Sequence, residues 1–261
     1  MQKLFTGSQL SFAGAIAAAV LLVGGSTLYL NLNKVEEADA FHCSPDRFAP
    51  AHVAIVIDAT DRLTPDQAKR LLSTAGAAAR SLPRHGRLTL LLIRPDSPWE
   101  PEEVLSLCSP GRGSEVNELN ETPALIERAW RKAFLAPLET AAAQLTGLPA
   151  GEESPVLQSL SAIASRRDFS AEAPRRTLIY IGDGLQHTPG VYSHYRDGDP
   201  VDTYRASGLA SELDPDFSGA TIEIDYMRRP LAAGAQGARH KAFWRWWFSD
   251  HGAIKVTVRG G

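Results

Sequence analysis

From Phe12 to Leu30 the chain runs 19 residues without a charge; beyond it, short apolar runs alternate with stretches of helical periodicity. His52 to Ile57 (His-Val-Ala-Ile-Val-Ile) and Arg87 to Ile93 (Arg-Leu-Thr-Leu-Leu-Leu-Ile) are short and almost continuously apolar, as strands buried on both faces are. Between them Ala68, Leu71, Leu72, Ala75 and Ala79 recur at helical spacing, which predicts a helix from Pro65 to about Ser81 with Thr64 as N-cap. Strand, helix and strand form one βαβ unit, so parallel pairing is implied. Arg94 to Pro123 is rich in Pro, Gly, Ser and Glu and reads as a long loop with one helical turn near Pro101 to Leu107. Helices follow at Pro123 to about Leu145 and Ser154 to Ser165. A third strand, Thr177 to Ile181, runs into Gly182-Asp183-Gly184. A second excursion reaches Gly219; a strand at Ala220 to Met227, a helix at about Arg239 to Asp250 and a strand at Ile254 to Val258 complete the pattern.

This alternation predicts an open, doubly wound, mostly parallel α/β sheet with helices on both faces. If the five strands, in chain order, are arranged 2-1-3-4-5, the topological switch falls between the first and third. Asp58 and Asp183 then end neighbouring strands at the carboxyl edge, where such sheets bind ligands. Three segments are expected: an N-terminal anchor over 1–33, a linker over 34–50 and one α/β domain over 51–261. As a helix, Phe12 to Leu30 would span roughly 28 Å, one hydrocarbon thickness. The rival reading is a cleaved export signal ending at Ala38-Asp39-Ala40. Lys3 on one flank and Glu36, Glu37 and Asp39 on the other place the N-terminus in the cytoplasm and the domain outside it, periplasmic in a bacterium.

Hydrophobic residues make up 44% and charged ones 22%, which excludes a disordered chain. The net charge of −3 gives no reason to expect a nucleic-acid partner. Cys43 and Cys108 are too few for a disulfide scaffold or a four-thiolate zinc site. Outside the cytoplasm the pair reads as one disulfide pinning the loop after the second strand; two unpaired thiols are the alternative.

The residues at the predicted sheet edge carry a resemblance. A buried strand ending in Asp58-Ala-Thr60, a Glu-Ser154-Pro entering a helix, and a strand ending in Gly-Asp183-Gly resemble the three metal-site loops of the von Willebrand factor type A (vWA) domain. The resemblance implies a Rossmann-like fold that binds another protein. It also implies that Asp58, Thr60, Ser154 and Asp183 hold magnesium or another divalent ion, which a partner carboxylate completes; hard cations favour such oxygen ligands. The third hydroxyl of the first loop is replaced by Arg62, with Asp61 before it. Asp61 could coordinate instead, Arg62 could pair with Asp58 or Asp183 in the ion's place, or the site could be degenerate.

An enzyme reading uses the same residues. An aspartate-terminated strand with a later Gly-Asp-Gly is similar to haloacid dehalogenase-type phosphotransferases. Their chemistry wants a lysine near the last motif, and none occurs between Lys132 and Lys241. There is no H-E-x-x-H and no G-x-S-x-G among the seven histidines and the serines. His187 and His194 draw notice because their loop follows Asp183, whereas Arg228-Arg229 reads as a solvated basic pair. In Phe243-Trp-Arg-Trp-Trp-Phe248 the aromatics spread over about 200° at 100° per residue, wider than one core-facing stripe. Trp244, Trp246 and Trp247 are therefore candidates, with His187 and His194, for a partner or membrane surface. The expectation is a membrane-anchored, non-enzymatic module that binds another envelope protein. A phosphotransferase and a structural subunit with a degenerate site are the alternatives.

Overall fold

The computed structural model describes residue 43 and residues 48–60, 63–115, 122–145 and 151–260. The predicted anchor, nearly all of the linker, and Asp61 and Arg62 lie outside them. Among the described residues no helix is long and apolar enough to cross a membrane.

Strand β1 (His52–Asp58) is buried along its whole length. It lies between β2 (Arg87–Ile93) and β4 (Arg176–Gly182), parallel to both, with Asp58 opposite Ile93. Beyond β4 come β7 (Ala220–Tyr226) and β8 (Lys255–Arg259), both parallel. Beyond β2 lies β3 (Glu102–Cys108), which is antiparallel. The order β3-β2-β1-β4-β7-β8 contains the five expected strands in the expected arrangement and adds one, while β5 (His187–Thr188) and β6 (Tyr192–Ser193) pair with each other in a separate ribbon. The result is a mixed α/β fold with a six-stranded, mostly parallel sheet, of vWA- or Rossmann-like organisation.

The added strand corrects the expected helical turn at Pro101 to Leu107. Glu102 and Glu103 are exposed and only the end of the strand is buried, so it has no continuous apolar run. Charged residues at a sheet's rim also block further pairing. Its last residue, Cys108, is bonded to Cys43 with a Cα–Cα distance of 4.9 Å.

Alternate residues of β1 feed two cores. Val53, Ile55 and Ile57 pack with α1 (Pro65–Ser81) and with the helical run Pro123–Gln144. Ala54 and Val56 pack on the opposite face with α4 (Val156–Ala164), α5 (Pro200–Arg205), α6 (Gly208–Glu212) and α7 (Ala238–Asp250). Helix α1 starts as expected: the Thr64 hydroxyl accepts from Gln67 N at 3.3 Å while Gln67 Oε1 accepts from Thr64 N at 2.8 Å. The run after Pro123 is not uniform. It consists of α2 (Pro123–Trp130), a π-helical turn over Arg131–Leu135, and α3 (Ala136–Gln144). Pro137 has no N–H for the Ala133 carbonyl and its ring crowds that group, so the helix widens just before it.

Helix α7 corrects the reading of the aromatic cluster. Phe243, Trp244, Trp247 and Phe248 are buried in the core, because positions i, i+1, i+4 and i+5 form one stripe. Trp244 and Trp247 are thus no part of a surface. Trp246 is half-buried, with the Arg205 guanidinium 4.8 Å over its ring.

Candidate functional site

Three loops meet at the carboxyl edge and are tied by backbone hydrogen bonds. Gly151 N donates to Thr60 O at 2.8 Å, and Ser154 and His187 exchange two bonds of 2.9 Å. Asp58, at the end of β1, is buried. Its Oδ1 accepts from Thr60 N at 3.1 Å and from Thr60 Oγ1 at 2.5 Å, and the Thr60 hydroxyl lies 3.1 Å from Ser154 Oγ. Its Oδ2 accepts from the buried Tyr180 hydroxyl at 2.8 Å. Asp58, Thr60 and Ser154 are therefore brought together as the sequence implied.

Asp183 follows β4. Its Oδ1 accepts from Leu185 N at 2.8 Å, closing a tight turn, and its Oδ2 accepts from Arg229 Nε. The flanking glycines are required by close approach. A Cβ on Gly182 would lie 2.5 Å from the Tyr180 hydroxyl and 2.6 Å from Asp58 Cβ, while Gly184 has φ +68 and sits on the Trp244 indole. Through this turn Tyr180 links the two acids, since Gly184 N reaches its hydroxyl at 3.1 Å.

Burial pushes the Asp58 carboxyl above its ordinary range, against the pull of its hydrogen bonds to Thr60 and Tyr180. Asp183 is pushed up to about 7 by burial and by the charge of Asp58, and drawn down by Arg229. Arg229 corrects the solvated-pair reading. Its side chain is 24% exposed, and the Asp183 side chain it pairs with is 4% exposed.

A resident divalent ion does not fit these donors as they stand. Both Asp58 oxygens and both Asp183 oxygens accept hydrogen bonds, and one of the donors is a guanidinium that keeps its charge. Among the described residues no three His, Cys, Asp or Glu side chains cluster as metal ligands.

His187 lies at this edge, half-buried, with Nδ1 2.9 Å from Ser193 Oγ. His194 is buried, so it corrects the expectation of a surface residue. Its Nδ1 lies 3.0 Å from Gln186 N and 3.1 Å from Gly184 O. His240 stands beside it, with Nδ1 2.7 Å from the Tyr226 hydroxyl and Nε2 3.0 Å from Gly184 O. Burial holds His194 well below its ordinary pKa and pushes His240 down to about 4, so both rings are neutral at physiological pH. Next to them a cavity of about 690 Å³ opens between residues 194–203 and 231–240.

Tyr180, Arg229 and Gln236 were missed from sequence. Tyr180 had a signal: a hydroxyl in a strand buried on both faces needs a partner. Arg229 and Gln236 had none, because their loop of alanine and glycine shows no pattern.

No protein-family model matches the chain, and no curated protein matches it. Among solved structures the fold is similar to an aerotolerance-related membrane protein from Bacteroides fragilis. The identity is 12%, the match covers 81% of this chain and 92% of that one, and the TM-score is 0.40.

Proposed function

We propose that this protein is an extracytoplasmic, vWA-like binding module, tethered to the membrane by its N-terminal apolar segment, that docks another envelope protein on the carboxyl edge of its sheet. The observation that carries this is where the apolar surface lies. Of the seven large apolar side chains exposed among the described residues, four, Trp99, Val191, Tyr195 and Leu231, are on carboxyl-edge loops, and Leu231 also lines the cavity; Phe48, Leu125 and Ile254 lie elsewhere. Exposed apolar groups gathered at one edge, with polar groups between them, have the character of a protein interface. The Cys43–Cys108 bond fits an oxidising compartment. The phosphotransferase reading is weaker. Its nucleophile would be Asp58, whose oxygens are held by Thr60 and Tyr180 and whose burial favours the protonated form.

Photo-crosslinking in cells tests the proposal. A crosslinking residue at Glu153 or Val191, both exposed at the carboxyl edge, should give the same discrete protein adduct in the membrane fraction. The same residue at exposed Glu172, on the opposite edge, should give none. Equal labelling from both edges would refute the docking face.

A further inference from the structure

We infer that Arg229 is a built-in cation that stands in for the divalent ion implied by the vWA resemblance, and that Gln236 positions it, so that the carboxyl edge is assembled without metal. This rests on the reading of that edge as a docking face, and it can fail without that reading failing.

The argument starts from charge. Asp58 and Asp183 end neighbouring strands and both are buried, so ionising them calls for a countercharge close by. Arg229 supplies it. The guanidinium hydrogen-bonds Asp183 directly, and its charge also reaches Asp58.

Its position is set by a second, independent arrangement. Gln236, 7% exposed, accepts at Oε1 from Arg229 N at 2.8 Å and donates from Nε2 to Met227 O at 2.9 Å and Asp183 O at 3.1 Å. One buried amide thus joins the base of the arginine to the backbone of its own acid. The loop between β7 and α7 is folded back on this clamp, and the guanidinium arrives at the carboxylates with its backbone already fixed. A divalent ion entering the same place would have to displace a group that cannot give up its charge, and would meet it at close range.

Manganese and magnesium are the probes, on the full chain in detergent. The free Mn²⁺ resonance should be undiminished by wild-type protein at millimolar metal, and neither Mg²⁺, Mn²⁺ nor a chelator should move its Tm. Arg229→Met should bring metal uptake, with a Tm that rises with Mg²⁺ concentration by linkage of binding to folding. Arg229→Lys, which keeps the charge, should remain indifferent. If Arg229→Met does not fold, Arg229→Met with Asp183→Asn should restore folding, because the unpaired buried charge is then gone. Gln236→Leu tests positioning: with both acids and the arginine intact, it should show partial Mn²⁺ uptake. Destabilisation without uptake would reduce Gln236 to a packing residue.

Concentration-dependent stabilisation of the wild type by Mg²⁺, with loss of free Mn²⁺, would overturn the inference. So would an Arg229→Met protein that takes up no metal and stays folded, or one whose folding defect Asp183→Asn does not relieve. The crosslinked adduct at Val191 reads out docking separately, whichever way the metal titration goes.

Discussion

Strand β1 begins and ends on a buried polar residue, and the two ends are solved in opposite ways. At the amino end His52 lies 2.8 Å from Asp168 O through Nδ1 and 2.9 Å from the Thr89 hydroxyl through Nε2. Asp168 is held by two hydrogen bonds of 3.0 Å from Arg166 and faces Arg87 at 3.4 Å. Burial raises its pKa, but Arg166, with His52 and Arg87 behind it, more than offsets this, and it lies below the ordinary carboxylate range. At the carboxyl end two acids share one guanidinium, and both lie above that range. One end holds its acid with two arginines, of which Arg166 is shared with Glu103; the other sets two acids against one cation. Residual electrostatic tension is what a fold tolerates at a functional edge and removes from a structural one.

The amino end should therefore respond most to removal of its ties. The disulfide belongs to it, since Cys108 pairs in register with Arg87 at the start of β2. Replacing both cysteines by serine reopens a loop with a sequence separation of 65, which should cost up to about 4 kcal/mol in the chain-entropy picture. Urea unfolding measures it, and thiol titration of the unreduced, denatured wild type should find no free thiol. A loss as small as that of an exposed substitution would remove the disulfide from the account of this end.

The next effect concerns the close approach at the other end. Gly182→Ala drives a methyl group into the Tyr180 hydroxyl and Asp58, so it should cost about 1–3 kcal/mol by overpacking. Gly190→Ala, equally in the loop after β4 but with open space around it, pays only the strain of its φ of +77 and should cost less. Equal losses would show that the carboxyl edge is loosely packed and break the contrast with the amino end.

How far these two ends were legible from sequence differs for physical reasons. Strands β1, β2 and β4 were legible because strands buried on both faces are apolar throughout, as His52 to Ile57 and Arg87 to Ile93 are, and β7 because its apolar residues alternate. The edge strand β3 was not, because it opens on exposed Glu102 and Glu103 and is buried only at its end. Asp58, Thr60, Ser154 and Asp183 were legible as a group because each sits at the end of an element that the pattern located. Arg229 was misread because an arginine's partner is set by how its loop folds back, through Gln236, and neither periodicity nor composition records that. The amino-end network escaped notice for a similar reason: Asp168 and Arg166 lie in a short connection whose approach to His52 is decided by the packing of α4 against the sheet. The aromatic helix was legible as unusual, but its width was read as exposure, whereas tall neighbours such as Tyr204 and Phe217 extend the core around it.

A matched pair of substitutions gives the sharpest and smallest test. Asp168→Asn and Asp58→Asn each replace a carboxyl group by the same amide. At the amino end the amide cannot satisfy two arginines, so Asp168→Asn should cost about 2 kcal/mol, less than a fully buried pair would because Asp168 is still 19% exposed. At the carboxyl end the amide oxygen can still accept from Thr60, and its NH₂ can donate to a Tyr180 hydroxyl that turns to accept. The charge that raises Asp183 is gone as well. Asp58→Asn should therefore change stability by less than about 1 kcal/mol at neutral pH, in either direction. It should also lower the pKa of Asp183. That group is raised in the folded state, so it contributes stability that is present at acid pH and lost as pH climbs from about 4 towards about 7. With Asp58 neutral the loss should still begin near pH 4, where the unfolded carboxyl titrates, but end at lower pH and be smaller, visible as a flatter stability–pH curve measured by urea unfolding. If Asp58→Asn instead costs as much as Asp168→Asn and leaves that curve unmoved, Asp58 is a fully compensated structural acid, and the two ends of β1 are alike.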